Sequence, residues 1–363
     1  MVKLLHAADL HLDSAFVGLS QEQARARRAG QRELLETIVE KANELQVDLL
    51  LLSGDILDGK NAYYATAAAL SATLAKCNAQ VFLVTGNHDP LNAASPYRSV
   101  RFPENVTFFR SERMTKVELS ELDCVVYGAS FLDSACETPL LSGFQAPEDG
   151  KIHLLVLHGE CTEGESTNNP IRKRDLEQSR VDYAALGHIH KRSQLLMAGK
   201  TAYAYPGCPE GRGFDECGEK GVLYVTVEKG SINAEFVPLD GYRYEQETLS
   251  VSNMEDARKQ LEKLLPANAP KTNYRVILSG TSSELDLAAL QAEFSARVGQ
   301  LVLKDRTVPL RSPWDGEDAE SLKGAFLRKL HAAYDVADAA EKETILQAVK
   351  YGLAALENQE GVL

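Results

Sequence analysis

Five short polar clusters interrupt apolar runs in this sequence: Asp9 and His11 in ADLHLDS, Asp55 in LLSGDILD, Asn87 and His88 in TGNHDP, His158 in VLHGE, and His188 with His190 in LGHIHK. Carboxylates, imidazoles and an amide oxygen, with no thiolate, suit Mn, Fe or Zn better than a soft-metal site or an all-oxygen Ca or Mg site. There are enough donors for two divalent ions. Two such ions roughly 3.5 to 4 Å apart activate water and stabilise both the entering and the leaving oxygen of a phosphoryl displacement. The chemistry indicated is hydrolysis of a phosphoester. Singly, each cluster is ordinary: Asp-x-His recurs by chance, Gly-Asp is a common turn or cap, and Gly-Asn-His-Asp can be a polar turn. Their ordered occurrence carries the inference, and five of the eight histidines lie inside them.

The elements that must position these clusters are read from the apolar runs. KLLHAA, VDLLLLSG and AQVFLVTG are short and rich in Leu and Val, as buried strands are, and helices are expected over Gln21–Gln46 and Ala62–Cys77. Strand, helix, strand, helix, strand implies right-handed crossovers and a largely parallel sheet. DCVVYGAS, KIHLLVLHGE, VDYAALGHIH and GVLYVTVEKG follow without long intervening helices, so the later part of this domain is expected to be mixed sheet. Every cluster falls where such a run ends, and ligands collect at the carboxyl ends of strands in open α/β sheets. On an extended strand, Asp9 and His11 share a face, as do His188 and His190, whereas His6 and His153 point away and read as ordinary strand histidines.

The chain has 363 residues, 44% of them hydrophobic, enough for two domains. Its 39 basic and 52 acidic residues give a formal charge of −13, which excludes a protein that coats nucleic acid through positive charge alone. Six cysteines are scattered without a C-x-x-C pair, so reduced thiols are expected, and no long uncharged apolar run suggests a membrane span. The expected protein is soluble and cytoplasmic, with no membrane role. After Asp240 a compact α/β unit is expected, followed beyond SPWDG by two helices. The boundaries are 1–240 for the main domain, 241–311 for a capping domain and 312–363 for a helical tail.

The ordered set D-x-H, G-D, G-N-H-D, H and G-H-x-H resembles the calcineurin-like metallophosphoesterases. The resemblance implies an α/β fold with a four-layer α-β-β-α core, a small C-terminal α/β capping domain and terminal helices. Carried over residue by residue, it makes Asp9, His11, Asp55 and His190 the shell of one metal. Asp55 then bridges to a second ion held also by Asn87, His158 and His188, with Mn the first expectation and Fe or Zn the alternatives. His88 is left to contact the scissile phosphate and protonate the leaving oxygen, with Asp89 orienting its imidazole. Within the superfamily, YAYPGCPEGRGFDECGEKGVLYVTVEKG is similar to the segment that follows G-H-x-H in SbcD-type DNA repair nucleases. That likeness implies a dimer, a DNA substrate and an SbcC-like coiled-coil ABC-type ATPase as partner. ADLHLDSAF departs from many such nucleases, which have Trp or Thr before the motif histidine and a glycine soon after it.

A small-molecule phosphatase or cyclic-nucleotide phosphodiesterase on the same core is the alternative. A structural subunit that has lost metal chemistry would lack a ligand or the histidine at 88, and none is missing. Lys191 and Arg192, directly after the last ligand, are the candidates for phosphate contact, whereas Arg172-Lys173-Arg174 reads as a solvated helix face. In the tail, Leu322, Phe326, Leu330 and Ala333, and again Ile345, Val349, Leu353 and Leu356, form apolar stripes. The stripes either pack internally or dock on the ATPase.

Overall fold

The computed structural model describes residues 1–59, 63–282, 285–309 and 312–356; the expected helix start at Ala62, the boundary at residue 311 and the end of the tail lie outside these. The chain divides into two compact units, one of Met1–Gln246, Asn268–Arg275 and Val298–Gln300, the other of Glu247–Ala267, Val276–Arg297 and Leu301–Leu363.

The first unit opens with β1 (Val2–Ala7), α1 (Gln21–Glu44), β2 (Leu49–Ser53), α2 (Tyr64–Leu74), β3 (Gln80–Val84) and β4 (Val106–Phe108). It continues through β5 (Thr115–Leu119), β6 (Cys124–Gly128), β7 (Ile152–His158), the short pair β8 (Glu160–Cys161) and β9 (Pro170–Ile171), α3 (Lys173–Ser179) and β10 (Tyr183–Gly187). Then come β11 (Leu196–Ala198), β12 (Thr201–Ala204), β13 (Gly221–Glu228) and β14 (Ser231–Pro238).

Two six-stranded sheets result, in the orders β14-β13-β1-β2-β3-β4 and β11-β12-β10-β7-β6-β5. In the first, β1 to β4 are parallel and β13 pairs antiparallel with both β1 and β14. In the second, β12, β10, β7 and β6 are parallel, with β11 and β5 antiparallel at the two edges. Side-chain alternation sorts each apolar run between two cores. Leu5, Leu50, Leu52 and Leu83 pack under Leu35, Ile38 and Val39 of α1 and Leu70 and Leu74 of α2. Their neighbours Leu4, Leu49, Leu51 and Phe82 meet Val126, Leu154, Val156 and Tyr183 of the other sheet. That sheet's outer face, with Leu155, Leu157, Ala184 and Leu186, packs on Leu176 of α3. The order of layers is α-β-β-α. Burial on both faces is why β1, β2 and β3 read as unbroken hydrophobic runs.

Several strands of this unit, the two-residue β9 among them, lie outside the runs read from sequence. β4 and β11 have only three residues each, and β5 and β14 are edge strands with alternating exposure. β12 is buried throughout but only four residues long.

Past Gly241 the chain runs β15 (Arg243–Ser250), α4 (Met254–Leu264), β16 (Ala269–Ser279), β17 (Thr281–Ser282), α5 (Leu287–Phe294), β18 (Val298–Asp305), β19 (Val308–Pro309), α6 (Leu322–Val336) and α7 (Ala339–Leu356). Here β15, β16 and β18 form a three-stranded sheet. The helices start where a short polar side chain takes up a free amide: Asn253 accepts from Asp256 N–H, Asp286 from Ala289 N–H and Ser321 from Gly324 N–H. α6 and α7 pack on each other. Leu327 and Val349 are buried, and the Phe326 ring lies where Gly352 has no Cβ, while Leu322 stays 75% exposed. Among the described residues, no helix is long and apolar enough to cross a membrane.

Candidate metal centre

All five clusters sit at carboxyl ends of parallel strands: after β1, β2 and β3 in one sheet, and at the end of β7 and after β10 in the other. The loops after β1 and β2 are joined by backbone hydrogen bonds, Asp9 N–H to Gly54 C=O at 3.1 Å and His11 N–H to Asp55 C=O at 3.0 Å. The even spacing of Asp9 and His11 does not act through an extended strand. β1 has ended, and Asp9, His11 and Asp55 stand at φ of 55°, 46° and 51°, with His188 at 105°. Non-glycine residues hold such angles only where their surroundings over-determine them. His188 and His190 likewise do not act side by side; they join different groups.

Asp9, His11, Asp55 and His190 form one group of potential ligands, and Asp55, His158 and His188 another. Asp55 Oδ2 lies 3.7 Å from His11 Nε2 and 3.4 Å from His158 Nε2, between the two groups. Asn87 Oδ1 approaches His158 Nε2 at 3.0 Å and His188 Nδ1 at 3.2 Å. The arrangement fits cations. His158 donates from Nδ1 to the Ser53 carbonyl at 2.9 Å, so its Nε2 is a lone-pair acceptor facing two other acceptors, Asn87 Oδ1 and Asp55 Oδ2. Asp55 Oδ2 and His11 Nδ1 are buried with no hydrogen-bond partner among the described residues. His190 Nε2 lies 3.1 Å from His11 Nε2. Glycines make the approach possible: a Cβ on Gly86 would stand 2.6 Å from His158 Nε2 and against Asp55 Oδ1.

Burial, reinforced by the neighbouring Asp55, pushes the Asp9 carboxyl well up, and burial raises Asp55 too. It holds His158 and His188 down at about 4, so both imidazoles are neutral at ordinary pH, the form that ligates metal.

The profile of the calcineurin-like phosphoesterase family matches residues 2–192, which span every ligand named. The chain belongs to this family. It is 32% identical over 303 residues, 78% of this chain and 73% of the other, to a Bacillus subtilis (strain 168) protein described as the uncharacterized metallophosphoesterase YhaO. Among solved structures, TT1561 of Thermus thermophilus aligns with 65% of this chain and 98% of its own at 13% identity and a TM-score of 0.40. A dimetal phosphatase from Danio rerio aligns with 62% and 92% at 12% identity and a TM-score of 0.35.

In this calcineurin-like phosphoesterase, Asp89 is not the partner of the His88 imidazole. Its buried carboxylate accepts from the N–H groups of Gly86, Asp55, Ile56 and Leu57 and from the Tyr97 hydroxyl at 2.7 Å, tying the turn after β3 to the turn after β2. A residue passed over in the sequence takes the role expected of it: Asp58 Oδ1 is 3.3 Å from His88 Nδ1. The signal available was its spacing, three residues beyond Asp55 on the same turn. That hydrogen bond raises the His88 pKa above its ordinary value. Arg212 and Glu216, inside the YAYPGCPEGRGFDECGEKG segment but given no role there, join the site: Glu216 accepts from His190 Nδ1–H at 2.8 Å, and Arg212 Nη2 donates to Glu216 at 2.7 Å. Of the expected phosphate contacts, Lys191 is exposed and the Arg192 guanidinium stacks 4.0 Å over the Phe236 ring. Lys173 and Arg174 are exposed at the start of α3. His6 meets Tyr183 and Ser53, and His153 meets Tyr127 and Asp149; neither histidine joins a ligand group.

Cys161 lies three residues beyond His158, half-buried, with its sulfur 3.8 Å from the Tyr203 hydroxyl and outside both ligand groups. Cys161→Ser is expected to keep both metal content and turnover, measured by elemental analysis and a chromogenic phosphoester assay. A large fall in either would make the thiol part of the centre.

Proposed function

We propose that this metallophosphoesterase is a phosphodiesterase acting on DNA, in DNA repair, with Mn as its ion. The observation that carries the reading is a cavity of about 510 Å³ beside His88, lined by Asp58 and Asp89 and by the uncharged Asn92, Ser95, Pro96 and Ser134. A cavity of that size takes a nucleoside-sized leaving group next to the proton donor. Two divalent ions at Asp9, His11, Asp55 and His190 and at Asp55, Asn87, His158 and His188 would supply Lewis-acid polarisation and acidified water. Water adds to phosphorus, the P–O bond to the leaving group breaks, and His88, held at Nδ1 by Asp58, delivers the Nε2 proton to the departing oxygen. The likeness of the Tyr205–Gly207 segment and its downstream Glu216 to SbcD-type nucleases supports DNA as substrate and a dimeric assembly with an SbcC-like ATPase. Six free cysteines accord with a reducing cytoplasm.

The formal charge of −13 favours a second reading, a phosphatase or cyclic-nucleotide phosphodiesterase acting on a small molecule. One assay separates them. The Mn-loaded chain is offered single- and double-stranded DNA, a model diester and a model monoester. Cleavage of DNA and the diester is expected; monoester turnover with no DNA cleavage would overturn the first reading.

For the ATPase, a chain ending at Ser312 is expected to keep metal-dependent hydrolysis of the model diester and to lose co-purification with the partner. Unchanged co-purification would remove the α6–α7 pair as the docking element.

A further inference from the structure

We infer that Arg212 grips a non-bridging oxygen of the substrate phosphate, an inference that rests on the phosphoester reading above. Its guanidinium is fixed along one edge: Nη2 and Nε donate to Glu216 at 2.7 and 3.4 Å, while the Arg212 backbone N–H donates to Glu216 Oε2 at 2.8 Å. Glu216 is itself buried and holds the His190 ring through Nδ1–H, so the clamp is anchored to a ligand of the centre. The remaining nitrogen, Nη1, makes no hydrogen bond among the described residues. The side chain is 20% exposed. Its open side lines a cavity of about 280 Å³ together with Ser14, Phe16 and Asp58. Asp58, which holds His88, lines both this cavity and the one beside His88.

The acidic character of the mouth favours such a group. Asp9, Asp55 and Asp58 converge where an anionic substrate must enter, and Arg192, which sequence spacing favoured, is stacked on Phe236 instead. A guanidinium already immobilised by a buried carboxylate keeps its charge and a free Nη1 donor and loses little further freedom on binding an anion.

The test titrates inorganic phosphate into the Mn-loaded full chain by calorimetry, with metal content measured on the same samples, for wild type, Arg212→Ala, Arg212→Lys and Glu216→Gln. Arg212→Ala is expected to weaken phosphate binding roughly ten- to a hundredfold, the range for losing a hydrogen bond to a charged group. Its metal content should equal that of wild type, and the KM for a model diester should rise more than kcat falls. Arg212→Lys, which keeps the charge without the paired anchorage on Glu216, is expected to fall between the two. Phosphate affinity equal to wild type in Arg212→Ala would overturn the inference. So would a loss of affinity that only tracks a loss of metal and is reproduced by Glu216→Gln, because Arg212 would then act solely by positioning His190. Wild type that binds phosphate but cleaves no phosphoester would sink the parent reading and leave Arg212 as an anion contact.

Discussion

Replacing His88 by alanine is expected to slow phosphoester hydrolysis by about two to four orders of magnitude, the span attached to a proton-transferring side chain, without changing metal content. His88 differs from its neighbours in exposure and company. Its side chain is 47% exposed, its Nδ1 is engaged by Asp58, and its backbone N–H, which alanine retains, donates to Asp55 Oδ1 at 2.8 Å. The loss should be smallest for substrates with an acidic leaving alcohol, which needs no proton, and largest for an alkyl or nucleoside alcohol. Turnover on paired substrates of both kinds measures this. Metal content falling as far as in an Asp55 variant would show His88 to be a ligand and sink the assignment.

Asp55→Asn is expected to empty the centre, with metal affinity falling by more than the roughly ten- to hundredfold that changes behind the ligands cost. The reason is position: Asp55 is the residue common to both ligand groups. Asparagine can still accept from His88 N–H but brings no charge. Stability should respond with opposite signs in the two metal states. Burial raises the Asp55 carboxyl, so the folded chain holds that proton more tightly than the unfolded chain does. Above the unfolded-state pKa the ionised group therefore opposes folding when no ion is bound, and Asn relieves this. The metal-free variant should melt no lower than metal-free wild type, while the rise in Tm on adding Mn should disappear. A full Mn-induced rise in the variant would contradict the bridging role.

The layered core was legible because its central strands are buried on both faces, so that Leu49 to Leu52 carries no polar interruption. The edge strands were not. β5 and β14 lie half in solvent, and their composition resembles that of loops. The candidate ligands were legible as residue types at strand ends, yet the extended backbone presumed for them is not the one they adopt. A period of two presumes extended backbone, whereas Asp9, His11 and His188 occupy left-handed turns held by long-range hydrogen bonds. Asp58, Arg212 and Glu216 escaped for a related reason. None belongs to a ligand motif; each is tied to the site through a contact 22 to 30 positions distant, His190 for Arg212 and Glu216 at 22 and 26, and His88 for Asp58 at 30.

The division of the ligands between two sheets also sets when the protein can acquire its ions during synthesis. Asp9, His11, Asp55 and Asn87 come from the first sheet's loops and are made early; His158, His188 and His190 belong to the second and come 71 to 103 residues after Asn87. At about 5 to 20 residues per second, the half-centre waits on the order of five to twenty seconds for its remaining imidazoles. Through that interval the nascent chain presents Asp9 and Asp55 without the imidazoles of the second sheet, so the complete set of candidate ligands exists only in a chain that has already closed that sheet.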